Sequence, residues 1–356
     1  MKQNRLHRVI ENMQKLGLRQ LLISDSESIY YLTGIGYDPG ERLFALYIND
    51  QGDAHLFNNH MFPQEPQSGL TIHYFDDTDD QMALLASVMQ GGKLGVDKFL
   101  RAKFMLPLLD KRPDLQLCLG SEAVDSARTY KDAEEIELMR RASALNDATM
   151  EKVIRRLSDG LTERQMVGVV GDVHLSLGAD VAYDHLICYG EGCCEPHHSS
   201  GSATIKPGQA AIFDIFAPVN RYWCDMTRTV FYCSADDEQR RVYETVRAAN
   251  MAGIAAIRPG IPISLVDDAA RKVITDAGYG EYFTHRTGHG IGLSCHEPPD
   301  CSGSNQTILQ PGMCFSVEPG IYLPGRWGVR IEDLVVVTET GVEVLNKFTK
   351  DLLIID

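Results

Sequence analysis

The 356-residue chain is long enough for two domains, since a domain of about 150 residues is typical. Hydrophobic residues make up 44% and charged residues 23% of it, which excludes a disordered or fibrous protein. The formal net charge of −15 repels phosphate backbones and anionic lipid, so we expect neither nucleic acid nor a membrane as a partner.

The sequence predicts a cytoplasmic protein. Residues 1–16 are interrupted by charges every few positions and contain no apolar signal-peptide core. No later run reaches the roughly 18 apolar residues of a membrane span. The 9 cysteines include the adjacent pair Cys193 and Cys194 but form no CxxC pair, so we expect reduced, mostly structural thiols.

The first third of the chain alternates between helical and strand patterns. Apolar residues between Leu6 and Leu16 recur at helical spacing. Two apolar runs, 43–48 and 54–57, flank the turn residues 49–53 and predict a β-hairpin. These patterns predict an α/β domain at the amino end.

A second domain is predicted to begin between residues 120 and 131, a polar segment that precedes a long helix. Asp132 and Glu135 have the spacing of a capping box, and apolar residues follow at helical spacing. Helical stretches at 133–157 and 239–257 each adjoin β-rich segments, so a duplicated α+β layout is plausible.

A pair of aspartates falls within one predicted hairpin. If its arms turn between Val219 and Asn220, Asp214 and Asp225 lie directly opposite each other. Like charges about 5 Å apart are destabilising, and a bound cation is the natural compensation.

A second acidic pair has the same relation. Glu318 and Glu332 face each other across a predicted turn at 323–327. Either pair alone is compatible with a solvated hairpin. Two pairs within apolar runs favour a site where two divalent cations neutralise four carboxylates.

His289 would complete such a site with a neutral nitrogen donor. It lies in the run TGHGIG at 287–292, whose glycines let the backbone pass close to an ion. The run lacks GxGxxG spacing, so we reject a phosphate cradle. Oxygen-rich donors with one imidazole suit Mn²⁺, Co²⁺, Fe²⁺ or Zn²⁺.

These residues resemble the creatinase-type "pita-bread" metallopeptidases, especially the Xaa-Pro dipeptidases (prolidases) and Xaa-Pro aminopeptidases. The runs TGHGIG, VEPGIY and GVRIED carry the resemblance, together with SIYYLTG and DPGER near the amino end. It implies an α+β protein: a creatinase-like α/β amino-terminal domain at 1–122, then a pita-bread catalytic domain at 123–356 with duplicated α+β halves.

The resemblance also implies a metal centre with two divalent ions, Mn²⁺ being the first choice. Asp214 would bind one ion, and His289 and Glu318 the other, while Asp225 and Glu332 would bridge both. The nucleophile would be a bridging hydroxide. Glu318 would also shuttle protons during hydrolysis.

Four further residues match positions around the substrate in this family. His197 and His296 would donate hydrogen bonds to developing oxyanion charge. Arg330 would orient substrate or, alternatively, form an ion pair that holds the acidic cluster. Arg286 would bind the free carboxylate of a dipeptide, which favours a dipeptidase over an aminopeptidase.

The resemblance further implies a homodimer, in which the loop carrying Asp38, Glu41 and Arg42 approaches the partner's site. A plain surface turn is the alternative. A small peptide with proline second is the implied substrate.

The chain departs from the family pattern near the site. Phe216 stands where the family has a glycine, Cys224 where it has a serine, and the loop 189–195 lacks an asparagine. A non-peptidase metalloenzyme of the same fold therefore stays an alternative, because this fold hosts several chemistries. A binding module without activity is disfavoured, since all five metal ligands are retained.

Overall fold

The computed structural model describes residues 1–356 and divides into two compact units, Met1–Arg128 and Thr129–Asp356. No helix in it is both long and apolar enough to cross a membrane.

The division falls after Arg128, and the domain bounds 1–122 and 123–356 stay a prediction. Residue 122 begins a helix that runs to Thr129. Ala123 on this helix is buried, and its carbonyl accepts a hydrogen bond from Asn12 at 3.0 Å. The helix therefore packs with the first unit.

The first unit contains a six-stranded mixed sheet with helices. Its helices are α1 Gln3–Lys15, α2 Ser26–Thr33, α3 Gln81–Ala86, α4 Ala102–Lys111 and α5 Glu122–Thr129. Its strands are β1 Gln20–Ile23, β2 Ala45–Asn49, β3 Ala54–Asn59, β4 Thr71–Phe75, β5 Gly92–Val96 and β6 Leu115–Leu119, in the order β4-β3-β2-β1-β5-β6. Strand β1 is antiparallel to β2 and parallel to β5. The predicted first helix and hairpin are confirmed as α1 and β2–β3.

The second unit holds helices and three smaller sheets. Its helices are α6 Ala133–Val153, α7 Glu163–Leu177, α8 Asp237–Ala256 and α9 Ser264–Asp276. Its strands are β7 Leu186–Tyr189, β8 Ala210–Val219, β9 Tyr222–Tyr232, β10 Gly288–Gly290, β11 Glu297–Cys301, β12 Cys314–Val317, β13 Gly320–Leu323, β14 Trp327–Arg330, β15 Asp333–Val337, β16 Val342–Val344 and β17 Ile354–Ile355. The sheets are ordered β17-β9-β8-β7, β11-β10-β12-β15-β16 and β13-β14.

The duplicated layout predicted for this unit is present. In one half, α6 and α7 precede the sheet built on β8 and β9; in the other, α8 and α9 precede the sheet built on β10, β12 and β15. Helices α6 and α8 both begin with a complete capping box, and the one at Asp132 and Glu135 was predicted. Apolar faces of the helices pack against the sheets in continuous clusters.

The β8–β9 hairpin differs from its predicted register by two residues. Val219 pairs with Tyr222, so Asn220 and Arg221 form the turn, with φ of 50° and 70°. Asp180 stabilises this turn by accepting hydrogen bonds from both turn amides, at 3.1 and 2.7 Å.

The predicted direct opposition of Asp214 and Asp225 is therefore wrong. Asp214 pairs with Thr227, and Asp225 pairs with Phe216. Because side chains alternate with a period of two, a two-residue shift leaves both aspartates on the same face as diagonal neighbours.

The second acidic hairpin has the predicted register. The backbone pairs Val317–Asp333 and Gly320–Arg330 flank the two glutamates on either side. Glu318 and Glu332 lie in the gap between these two ladders. Their amides donate instead to carbonyls of neighbouring segments, Glu318 to Thr287 at 2.7 Å and Glu332 to Thr227 at 3.0 Å. These two hydrogen bonds hold both glutamates against neighbouring segments of the second unit.

Candidate metal centre and its cavity

The nine candidate site residues all line one cavity of about 510 Å³ in the second unit. They are Asp214, Asp225, His289, Glu318, Glu332, His197, His296, Arg286 and Arg330. Four of them lie on strands β8, β9, β10 and β14, and the other five lie in segments between strands. Their individual roles stay predictions.

Buried acidic groups and one imidazole form the floor of this cavity. Donor atoms of Asp225, His289 and Glu332 all lie within 4.8 Å of one another. His289 Nε2 is 3.6 Å from Glu318 Oε1 and 3.9 Å from Asp225 Oδ2. These separations are typical of side chains that share metal ions, so we call Asp214, Asp225, His289, Glu318 and Glu332 the acidic centre.

Burial and mutual repulsion raise the pKa of three of these carboxyls. Desolvation is the main cause for Asp225, with the charges of Asp214 and Glu318 adding to it. Desolvation likewise raises the pKa of Glu332, and the charge of Asp225 adds to the effect. The pKa of Glu318 rises to about 7, mainly by desolvation, although nearby Arg330 opposes the shift. Without cations, ionising this cluster is costly.

His289 is held as a neutral donor. Its Nδ1 lies 3.0 Å from the Gly290 carbonyl, which can only accept a hydrogen bond, so Nδ1 carries the proton. Its Nε2 lone pair is thereby left facing the carboxylates. Burial, with the charge of His296 adding to it, lowers the pKa of His289 to about 3. This is the tautomer that a metal ligand requires.

Two hydroxyls position the glutamates of the centre. Thr227 donates to Glu332 Oε2 at 2.7 Å. Ser316 donates to Glu318 Oε1 at 3.1 Å and accepts from the amide of His289 at 3.0 Å. Strand alternation could have predicted both hydroxyls from the sequence. Thr227 follows Asp225 by two residues and Ser316 precedes Glu318 by two, so each shares a face with a candidate ligand.

Arg330 forms an ion pair with the acidic centre. Its guanidinium lies 2.9 Å from Asp214 Oδ2 and donates to Thr227 at 3.1 Å and to the Tyr322 hydroxyl at 2.9 Å. The side chain is only 3% exposed, so little of it is available to a ligand. The structure thus shows the ion-pair alternative, and a substrate-orienting role stays a prediction.

The donor set fits divalent cations. Four carboxylates converge on a neutral imidazole, and Arg330 is the one cation paired with them. Asp225 Oδ1 is buried and has no hydrogen-bond partner, which is costly for a carboxylate oxygen. A cation bound to this oxygen would remove that cost.

The open side of the cavity presents exposed polar groups. His197, His296 and Arg286 are all exposed there. The His296 ring lies 4.0 Å from the ring of His289, centroid to centroid. The neighbouring His198 instead bonds Glu163 at 3.2 Å. The three exposed side chains are therefore available to a ligand above the acidic centre.

Aromatic rings form another wall of the cavity. Phe216 and Trp223 both line it, with ring centroids 6.3 Å apart. Tyr183 packs against Trp223 at 4.5 Å. The Phe216 departure noted in the sequence thus contributes directly to the cavity surface.

The loop proposed to approach a partner subunit lies in the first unit. Arg42 is bound there by Asp77, at 2.8 and 2.7 Å. Arg101 and Lys103 donate to the carbonyls of Gly40 and Glu41. The homodimer stays a prediction.

The two units and the acidic centre together define a pita-bread protein with a creatinase-like amino-terminal domain. Residues 137–339 match the model of metallopeptidase family M24, and residues 5–130 match the creatinase/prolidase N-terminal domain. The chain belongs to metallopeptidase family M24.

Known proteins are similar to this chain over nearly its whole length. An uncharacterized peptidase of Staphylococcus saprophyticus is 35% identical over 352 residues, which span 97% of this chain and 100% of the relative. The crystal structure of a dipeptidase from Pyrococcus horikoshii matches with a TM-score of 0.93 and 32% identity, over 98% of this chain and 99% of that one. A prolidase from Thermococcus sibiricus matches with a TM-score of 0.92 and 31% identity, over 99% of both chains.

Replacing Thr227 by valine tests the geometry of the centre. The change removes the hydroxyl that Glu332 and Arg330 share but preserves shape. We expect Mn²⁺ affinity, measured by calorimetric titration, to fall about tenfold to hundredfold. Thr227→Ser keeps the hydroxyl and should retain most of the affinity. Equal affinity in Thr227→Val and the parent protein would show that this hydroxyl does not position a ligand.

Proposed function

We propose that this protein hydrolyses Xaa-Pro peptide bonds with two divalent metal ions and that dipeptides are its preferred substrates. The observation that carries the proposal is the acidic centre at the floor of a cavity whose open side presents two histidines and an arginine. The similarity to a dipeptidase and a prolidase over almost the whole chain supports the choice of substrate.

In this proposal the acidic centre holds both ions. Asp214, Asp225, His289, Glu318 and Glu332 would together hold these ions. Mn²⁺ is the first candidate, and Co²⁺, Fe²⁺ and Zn²⁺ suit the same donors. When bound, two such ions polarise the scissile carbonyl and lower the pKa of a water molecule, so that hydroxide is available near neutral pH.

The chain's own residues then move protons and stabilise charge. Glu318 takes a proton from the attacking water and returns it to the departing proline nitrogen. His197 and His296 stand on the open side, where their ring N–H groups donate to the oxygen of the scissile carbonyl as negative charge develops. Burial lowers the pKa of His296, which favours the neutral ring.

Arg286 provides the carboxylate recognition that a dipeptidase needs. It precedes His289 by three residues, lines the cavity and is exposed. A dipeptide Xaa-Pro places its free carboxylate directly after the proline, and a guanidinium binds such a group with two hydrogen bonds. A longer peptide has no carboxylate at that position.

A second candidate function is hydrolysis of a small non-peptide molecule at the same centre. The aromatic wall of Phe216 and Trp223 favours it, because Phe216 stands where the family pattern has a glycine. Substrate comparison separates the two candidates.

The proposal predicts a metal-dependent preference for one peptide class. Chelator-stripped protein should not cleave Leu-Pro, and added Mn²⁺ or Co²⁺ should restore cleavage, followed by release of free proline. A Leu-Pro-Xaa tripeptide and Leu-Ala serve as matched comparisons and should be cleaved poorly. Preferred cleavage of the tripeptide would identify an aminopeptidase. Metal binding without cleavage of any peptide would favour the non-peptide candidate.

Replacing Arg286 by alanine tests the carboxylate recognition. We expect KM for Leu-Pro to rise about tenfold or more, because a charge-assisted hydrogen bond of about 1.5–3 kcal/mol is lost. Cleavage of Leu-Pro-amide, which lacks the carboxylate, should be unchanged. Arg286→Lys keeps the charge, and its KM for Leu-Pro should lie between those of the parent protein and Arg286→Ala. An unchanged preference for Leu-Pro over its amide in Arg286→Ala would refute this role.

A further inference from the structure

A cysteine lies beside the acidic centre, and the proposed hydrolysis does not use it. Cys295 lines the cavity, and its Sγ is 3.4 Å from Asp225 Oδ2. Of the 9 cysteines in the chain, it is the one that lines this cavity. The sulfur therefore faces the same carboxylates that would hold the ions.

The position of the sulfur matches that of a metal ligand. Zinc binds sulfur at about 2.3 Å and carboxylate oxygen at about 2.1 Å, so neighbouring sulfur and oxygen ligands of a tetrahedral ion lie roughly 3.5 Å apart. The measured separation from Asp225 is 3.4 Å. Donor pairs of the acidic centre have similar separations, such as 3.6 Å between His289 and Glu318.

An unsatisfied oxygen points to a ligand at this position. Asp225 is 5% exposed, and its Oδ1 has no hydrogen-bond partner, although its Oδ2 accepts from Cys295. A cation on Asp225 would satisfy this oxygen, and the sulfur lies beside the other oxygen of the same carboxylate.

We propose that Cys295 Sγ is an additional donor to the ion held by Asp225 and raises the affinity of the centre for thiophilic ions such as Zn²⁺ and Co²⁺ relative to its affinity for Mn²⁺. The inference rests on the proposed metal centre. When the sulfur–metal bond forms, the S–H bond breaks and its proton leaves to solvent through the cavity. A soft sulfur donor adds affinity for Zn²⁺ and little for Mn²⁺, which prefers oxygen.

The alternative is a thiol that only donates a hydrogen bond to Asp225. This role has the same sulfur–oxygen distance, but it places no sulfur on the metal. A serine could replace the cysteine in that role, whereas it could not replace a sulfur ligand.

Cobalt spectroscopy of the full-length protein distinguishes the two roles. Metal-stripped protein is titrated with Co²⁺, and bound cobalt is counted by elemental analysis. We expect a near-ultraviolet sulfur-to-cobalt charge-transfer band in the parent protein and its loss in Cys295→Ser. Cys233→Ser changes an exposed cysteine outside the cavity and should keep the band. Cys295→Ala provides a second variant if the serine variant does not fold.

The ratio of Zn²⁺ to Mn²⁺ affinity gives a second readout. It should fall about tenfold to hundredfold in Cys295→Ser. Bound cobalt without the band in the parent protein, or a band that persists in both Cys295 variants, would overturn the inference and leave the metal centre intact. A parent protein that binds no cobalt would overturn the metal centre itself, and the inference with it.

Discussion

The electrostatic cost of the acidic centre is the constraint on which the rest of the second unit depends. Four carboxylates converge around a neutral imidazole, and one buried arginine offsets part of their charge. Burying ionised groups without compensation costs several kcal/mol each. A fold that keeps these side chains together must therefore hold them rigidly, and it must gain stability from whatever cations they bind.

The scaffold beneath the centre supplies this rigidity with buried polar contacts. Arg228 is 1% exposed; it donates to the backbone carbonyl of Glu332 and pairs with Asp333 at 2.7 Å. Lys350 pairs with the same aspartate at 2.7 Å. On the other side, Asn250 donates to the carbonyl of Val317 at 2.8 Å, directly before Glu318. Both glutamates are thus attached to a fixed backbone, which limits how far their repulsion can separate them.

The sequence could predict which acidic residues share a face because strand alternation and hairpin symmetry are local properties. Glu318 and Glu332 follow the predicted register, and all nine candidate residues line one cavity. The aspartate hairpin shows where such reasoning fails. The pairing register differs from the prediction by two residues because Asn220 and Arg221 form the turn with positive φ, and Asp180, distant in sequence, binds their amides.

Contacts between segments far apart in the chain could not be predicted from local sequence patterns. Cys295 meets Asp225 across 70 positions of sequence, so no local pattern places its sulfur in the centre. The pairing of Arg330 with Asp214, across 116 positions, was likewise one of two alternatives until the structure showed it. Thr227 and Ser316, in contrast, could have been predicted, because each lies two residues from a candidate ligand and strand side chains alternate with a period of two.

We expect divalent cations, rather than protons alone, to stabilise the acidic centre. Anomalous diffraction from crystals of the full chain grown with Mn²⁺, recorded at the manganese absorption edge, tests it directly. The account predicts two peaks per chain, both in contact with Asp225 and Glu332. No peak among the five residues of the acidic centre, from crystals that scatter well, would contradict it.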